Sequence, residues 1–304
     1  MKNIETKSAF VAILGLTNVG KSSLMNALVG QKISIVSNKP QTTRNKITGI
    51  LTQGETQFVF LDSPGIHKRK NKLSDYMAKQ VSSAALDIDV SILVVEANRK
   101  FISTIEENLI NQVKNLKTNV ILVINKIDLL QKKEDVLKVI YMYKDKIDFN
   151  TIIPISVKKN DGLDLLMNEL NKYAKPSPHF FSEEMVTDQM EREIVSEIIR
   201  EKILSYFSQE VPHGVAVSIE KMQERSNKIL DIESVIYCER YNHKGIIIGK
   251  NGEALKTIAS MARLELEDML GIKVNLQCWV KVKNNWRNDS RQMKWLGYDL
   301  NAKI

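Results

Sequence analysis

Gly15-Leu16-Thr17-Asn18-Val19-Gly20-Lys21-Ser22 is the stretch whose reading decides the fold. It has the form G-x-x-x-x-G-K-S. The apolar run Phe10–Leu14 ahead of it predicts a buried strand, and Ser23–Leu28 behind it predicts a helix. A glycine loop between strand and helix is a phosphate site. The glycines let successive backbone N–H groups point inward as an anion nest, and the helix start adds orphan donors and the positive end of its dipole. Gly15, Asn18, Val19, Gly20, Lys21, Ser22 and Ser23 are therefore the expected phosphate-binding residues. Lys21 reaches the outer phosphates and Ser22 offers its hydroxyl to Mg²⁺.

Further along, 39–44 is polar and aperiodic and reads as a loop carrying Thr42 and Thr43, one of which is expected to complete the Mg²⁺ ligands. Lys46–Thr52 and Gln57–Asp62 read as a hairpin turning at 54–56. Asp62-Ser63-Pro64-Gly65 follows the second of these strands. A carboxylate there can hold Mg²⁺ through water, and the Gly65 amide can approach a γ-phosphate. Helix candidates over 72–87 and 103–116 alternate with buried strands over 90–95 and 119–124.

The last of these strands delivers Asn125-Lys126-Ile127-Asp128. A carboxylate at Asp128 accepts from the N1–H and exocyclic amine of guanine. Adenine lacks that donor pair and would leave the carboxylate unsatisfied. Lys126 can lay its aliphatic stem beside the base, and the backbone amides of Ser156, Val157 and Lys158 are candidates for the guanine carbonyl. A helix over 136–146, a strand over 151–155 and a helix over 162–173 complete the pattern. Alternating strands and helices give an α/β fold, the doubly wound sheet of a P-loop NTPase, with ligand outside the carboxyl ends of the strands.

This first domain is expected to occupy 1–175, followed by a linker at 176–182 rich in proline and serine, and a second domain over 183–304. There the apolar spacing predicts a helix over 185–207, capped by Thr187 or Asp188, then strands over 215–220 and 229–237. Lys244-Gly245, then Ile246–Ile248, lead into Gly249-Lys250-Asn251-Gly252. A helix over 253–270 and an alternating strand over 273–283 close an α+β unit of order α-β-β-α-α-β. The G-x-x-G turn between the last two helices resembles the loop of a prokaryotic-type (type II) KH domain, which clamps RNA by its backbone. Lys244, Gly245, Gly249, Lys250, Asn251 and Gly252 are its candidate RNA contacts. Trp286 falls in a loop and can serve either core or base stacking; Trp295 in a short helix reads as core.

The chain has 304 residues and a net charge of +8, placed unevenly. Residues 240–304 hold 12 Lys/Arg against 6 Asp/Glu, while 183–239 hold 6 against 13. RNA is thus expected on the G-x-x-G side and away from the first helix of that domain. Residues 1–175 hold 26 Lys/Arg against 17 Asp/Glu, which suits ribosomal RNA or membrane lipid. No apolar run approaches the roughly 20 residues that span a bilayer. The N-terminus lacks a signal-peptide core, and the cysteines, Cys238 and Cys278, read as free thiols in a reducing compartment.

The ordered set of P-loop, Thr42/Thr43, D-S-P-G, N-K-I-D and S-V-K, with Lys39–Arg44 and the KH-like second domain, resembles the Era family of GTPases over nearly the whole chain. The resemblance implies a GTP- and GDP-binding switch that hydrolyses GTP with Mg²⁺. Its partners would be small-subunit ribosomal RNA and the small ribosomal subunit, in subunit assembly. It also implies that Asn18 helps to hold K⁺ beside the phosphates. A cytoplasmic location is expected, with peripheral attachment to the inner face of the cell membrane as an added one, and no obligate oligomer. Where Ras-like domains carry a water-orienting glutamine, this chain has Ile66, and no arginine is an obvious finger: Arg44, the nearest candidate, can equally be a switch salt bridge, so unassisted hydrolysis should be slow. The competing expectation is a GTP-gated module whose second domain binds a protein.

Overall fold

Lys7–Gly15 forms β1 in the middle of a seven-stranded sheet, as its unbroken apolar run demands. A computed structural model describes residues 6–37, 39, 41–64, 71–83, 88–207 and 214–299. The other strands of this sheet are β2 (Ile47–Gln53), β3 (Thr56–Asp62), β4 (Val90–Glu96), β5 (Asn119–Asn125), β6 (Thr151–Pro154) and the two-residue β7 (Lys175–Pro176). The order is β2-β3-β1-β4-β5-β6, with β7 on β1. β3, β1, β4, β5 and β6 run parallel, and β2 and β7 antiparallel to their partners.

Helices α1 (Lys21–Val29), α2 (Lys72–Ser83), α3 (Thr104–Asn115), α4 (Val136–Tyr143) and α5 (Leu163–Asn171) connect these strands. Leu24 and Met25 of α1 join Leu166 and Leu170 of α5 in one buried cluster, and Leu109, Ile110 and Val113 of α3 join Val139 and Tyr143 of α4 in another. This is the doubly wound P-loop architecture. Parallel strands bring the residues at the carboxyl ends of β1, β3 and β5 to one edge of the sheet.

Contacts divide the chain into two units. One comprises Met1–Ser34, Thr43–Arg69 and Met77–Asp188, the other Ile35–Thr42, Lys70–Tyr76 and Gln189–Ile304. The second unit contains α6 (Glu191–Tyr206), β8 (Ala216–Glu224), β9 (Ile229–Cys238), α7 (Tyr241–Ile248), α8 (Glu253–Leu270), β10 (Lys273–Val282) and a short α9 (Ser290–Trp295). Its sheet order is β10-β9-β8, with β10 parallel and β8 antiparallel to β9. Val195, Ile199 and Ile203 of α6 and Ile258 and Leu266 of α8 pack on Ile232, Ile236 and Val280 of the sheet. The order α-β-β-α-α-β is that of the KH fold.

Several local expectations are corrected. The stretch expected as a linker over 176–182 lies along the first unit. β7 pairs with β1, the Ser177 amide donates to the Thr6 carbonyl at 3.0 Å, and the amides of Phe180 and Phe181 donate to Gln57 Oε1 at 2.8 and 3.0 Å. α6 starts at Glu191, not Met185, because the preceding residues stay extended against β2. Ile50 N–H donates to the Val186 carbonyl and Thr187 Oγ1 to the Thr48 carbonyl. Thr187 and Asp188 are not its cap; Met190 is, and Glu193 accepts the Met190 amide at 3.2 Å. Trp286 is fully buried and its indole N–H donates to the Gly214 carbonyl at 2.9 Å. Trp295 is not core: it is 53% exposed, with the Lys283 ammonium 3.7 Å from its ring centre. Both cysteines are free thiols, and no helix among the described residues is long and apolar enough to cross a membrane.

Replacing Trp286 by Phe removes the donor to a buried carbonyl and leaves a void. Urea unfolding should report a loss of about 1–3 kcal/mol in the second unit; unchanged stability would mean that this hydrogen bond contributes nothing.

Candidate functional site

The P-loop rises from β1 and turns into α1 at Gly20, whose φ of +100° and ψ of 22° no β-carbon residue adopts cheaply. A Cβ there would also lie 2.3 Å from Asn125 Nδ2. No side chain caps the start of α1, so the amides of its first turn, including that of Ser23, are left for an anion. Lys21 is buried and its ammonium donates to the Leu16 carbonyl at 2.8 Å, which curls the lysine over the loop. Burial pushes its pKa down, against the opposing pull of Asp62.

Three oxygens converge beneath the loop. Ser22 Oγ lies 2.7 Å from Asp62 Oδ2 and 2.9 Å from Thr43 Oγ1. Asp62 is wholly buried, and burial pushes its carboxyl up to about 6, only partly offset by Lys21 and the Ser22 hydroxyl. Its Oδ1 has no hydrogen-bond partner among the described residues. A buried carboxylate with an unmatched oxygen beside two hydroxyls is a donor set that fits Mg²⁺. Neighbouring oxygens around an octahedral Mg²⁺ with bonds near 2.0–2.1 Å stand about 2.9 Å apart. Of the two candidate threonines, Thr43 takes this place. The Thr42 hydroxyl donates instead to the Lys39 carbonyl at 2.5 Å. Gly65 and Ile66 lie outside the described residues. Arg44 is buried, with 2% exposure, and so is not presented as a finger to a solvent-accessible phosphate.

Asn125 links the two nucleotide motifs in a way that spacing did not reveal. Its Nδ2 donates to the Val19 carbonyl at 2.9 Å, and its Oδ1 accepts the amides of Lys126 at 2.7 Å and Val157 at 3.3 Å. Counted with Lys126 and Asp128 among the guanine-side residues by its motif, it also ties the P-loop to the two base-side loops. Lys126, with φ of 67°, reaches back to the Asn18 carbonyl at 2.6 Å and pairs with Glu96. Asp128 remains partly exposed, oriented by the Ser156 hydroxyl at 2.6 Å, and that hydrogen bond holds its carboxyl below the usual carboxylate range. Of the amides expected to face the guanine carbonyl, that of Ser156 donates to the Asp161 carbonyl and that of Val157 to Asn125. Lys158 is the remaining candidate.

In the second unit the G-x-x-G turn joins α7 to α8. Gly249 has φ +75°, and a Cβ on it would meet Ala254 Cβ at 2.7 Å; Gly252 has φ +81° with open space around it. One glycine is thus required by packing and the other by its left-handed backbone, with open space on its side-chain face. Lys250 and Asn251 are exposed at the tip, Gly245 lies on the exposed side of α7, and Lys244 beside it is half-buried.

A P-loop of this build, with a guanine-side Asp and a KH unit behind it, defines a GTPase joined to an RNA-binding type of domain. Comparison with known proteins agrees. The family model "50S ribosome-binding GTPase" matches residues 10–126 and the KH domain model residues 210–287. The chain is 48% identical to GTPase Era of Ruminiclostridium cellulolyticum, over 97% of this chain and 98% of that one. It is 49% identical to GTPase Era of Clostridioides difficile, over 96% and 99%. Among solved structures, a point variant of Aquifex aeolicus Era bound to GDP·AlF4⁻ superposes with a TM-score of 0.93 at 37% identity, covering 97% of this chain and all of that one. Era in complex with MgGDPNP and nucleotides 1506–1542 of 16S ribosomal RNA gives the same score, identity and coverage. The chain belongs to the Era family of GTPases, and it hydrolyses GTP.

The two base-side residues should separate on mutation. Asn125→Ala should weaken GTP and ATP alike by at least about tenfold, because it loosens three loops without touching base choice. Asp128→Asn should shift preference from guanine toward xanthine nucleotides. Equilibrium binding of GTP, ATP and XTP decides; a loss confined to guanine nucleotides in Asn125→Ala would give that residue a part in reading the base.

Proposed function

We propose that this GTPase binds small-subunit ribosomal RNA through its KH unit and works as a GTP-dependent switch in assembly of the small ribosomal subunit. The observation that carries this reading is the Gly249–Gly252 turn, whose outer glycine is open and whose tip presents Lys250 and Asn251. A backbone clamp of this kind takes a single-stranded phosphate chain. The 16S fragment held by an Era structure of the same fold supports ribosomal RNA as the occupant. The charge of 240–304, 12 basic against 6 acidic residues, supports it too.

At the nucleotide, the loop amides and Lys21 hold the phosphates, and Asp128, set by Ser156, reads guanine. Ser22, Thr43 and Asp62 hold Mg²⁺, which when bound offsets charge on the phosphate oxygens. With no glutamine after the D-S-P-G segment, turnover is slow, as suits a timer whose state partners read. Asn18, in left-handed backbone conformation beside the phosphates, is our candidate K⁺ ligand. We place the protein in the cytoplasm with no obligate oligomer, and with the basic first part available for peripheral membrane contact.

Changing Lys250-Asn251 to Asp-Asp should abolish copurification of RNA, with GTP affinity retained. RNA binding that survives in this variant across a salt titration would remove the Gly249–Gly252 turn as the clamp, and a wild type that carries no RNA would shift the reading to a protein partner. For the cation, hydrolysis should run faster in KCl than in NaCl at equal ionic strength, and Asn18→Ala should erase the difference. Equal wild-type rates in the two salts would remove K⁺.

A further inference from the structure

The segment that leads into Thr43 is held at both ends by two adjacent residues of α6. Ile35–Thr42 groups by contacts with the second unit, while Thr43 groups with the first. Arg200 is a buried guanidinium with 1% side-chain exposure. Its Nε donates to Glu197 Oε1 at 2.7 Å, and its Nη2 pairs with the same carboxylate. The outer edge of the guanidinium serves the loop: Nη2 donates to the Thr42 carbonyl and Nη1 to the Gln41 carbonyl at 3.4 Å. One residue on, Glu201 Oε1 accepts the Val36 amide at 2.7 Å, while its other oxygen lies 3.1 Å from Lys202 Nζ.

A planar fork suits two successive carbonyls as a lysine would not. Burying it there is worthwhile only if the loop stays in this conformation, since an unmatched buried guanidinium is strongly unfavourable. Thr43 follows Thr42 directly in the chain, so whatever holds the Thr42 carbonyl restricts where the Thr43 hydroxyl can lie. That hydroxyl is the one beside Ser22.

We infer that Arg200 and Glu201 are positioning residues for GTP hydrolysis: they clamp residues 36–42 so that Thr43 reaches its place beside Ser22. Neither touches the nucleotide. The inference rests on Thr43 being a Mg²⁺ ligand, and the experiment separates the two ideas.

The test uses the full chain and single-turnover GTP hydrolysis over a Mg²⁺ titration, with GDP affinity measured at saturating Mg²⁺. Arg200→Ala should slow hydrolysis about tenfold and raise the half-saturating Mg²⁺ concentration, with GDP affinity within about twofold of wild type. Arg200→Lys should recover part of the rate. Glu201→Ala should be slower than wild type, and Glu201→Gln, which keeps an acceptor for Val36, should be near it. Thr43→Ala should be slow, and adding Arg200→Ala to it should cost little more, as for residues acting through one loop. A wild-type rate and Mg²⁺ dependence in Arg200→Ala, with Thr43→Ala slow, overturns the clamp. A wild-type rate in Thr43→Ala overturns the ligand assignment instead. Should Arg200→Ala fail to fold by circular dichroism, equal rates for Glu201→Ala and Glu201→Gln overturn the clamp.

Discussion

Asp62 is a carboxylate taken wholly out of water with one oxygen unmatched, and the first unit is arranged around that uncompensated charge. Burial raises its pKa, and the Lys21 ammonium and the Ser22 hydroxyl hold the rise to about 6. A divalent cation resolves the conflict more fully than either. The parallel sheet makes the arrangement possible in geometry: β1 and β3 lie side by side, in a register where Ile13 faces Asp62, so the P-loop and the acidic loop leave neighbouring strand ends. The site is thus a property of the strand order as much as of its motifs.

What could be read from residues alone was whatever is local. Phe10–Leu14 is apolar without a break and ends at a glycine, so the strand and its loop were legible, as was the carboxylate at the end of Gln57–Asp62. The α-β-β-α-α-β order was legible because each amphipathic stretch keeps its own period. The roles that depend on remote partners were not. That Asn125 also braces the P-loop shows only once β5 is placed near that loop and its amide is found on the Val19 carbonyl. Residues 176–182 have linker composition, yet Gln57, a buried polar side chain inside β3, needs partners for its carboxamide and takes the Phe180 and Phe181 amides. Trp295 has helical neighbours like any core residue, and only the Lys283 ammonium over its ring shows which way it faces.

The two glycines of the KH turn illustrate how one motif can mix two demands. Gly249 is needed by the protein itself, since a methyl group there would collide with Ala254. Gly252 meets nothing within 4 Å, and what asks for glycine there is the left-handed backbone, φ +81°, that starts α8. Between them Asn251 takes a left-handed conformation, φ 52°, which an asparagine tolerates and which turns the tip outward.

The strap from Lys175 to Phe181 bears on how the chain is made. The edge of β1 at Lys7 and Ser8 receives its partner only at residues 175 and 176, and the Thr6 hydroxyl bonds a carbonyl 171 residues later. Gln57 waits for the amides of 180 and 181. During synthesis, which proceeds from the N-terminus, these bonds of β1 and β3 form only after residues 175–181 have left the ribosome.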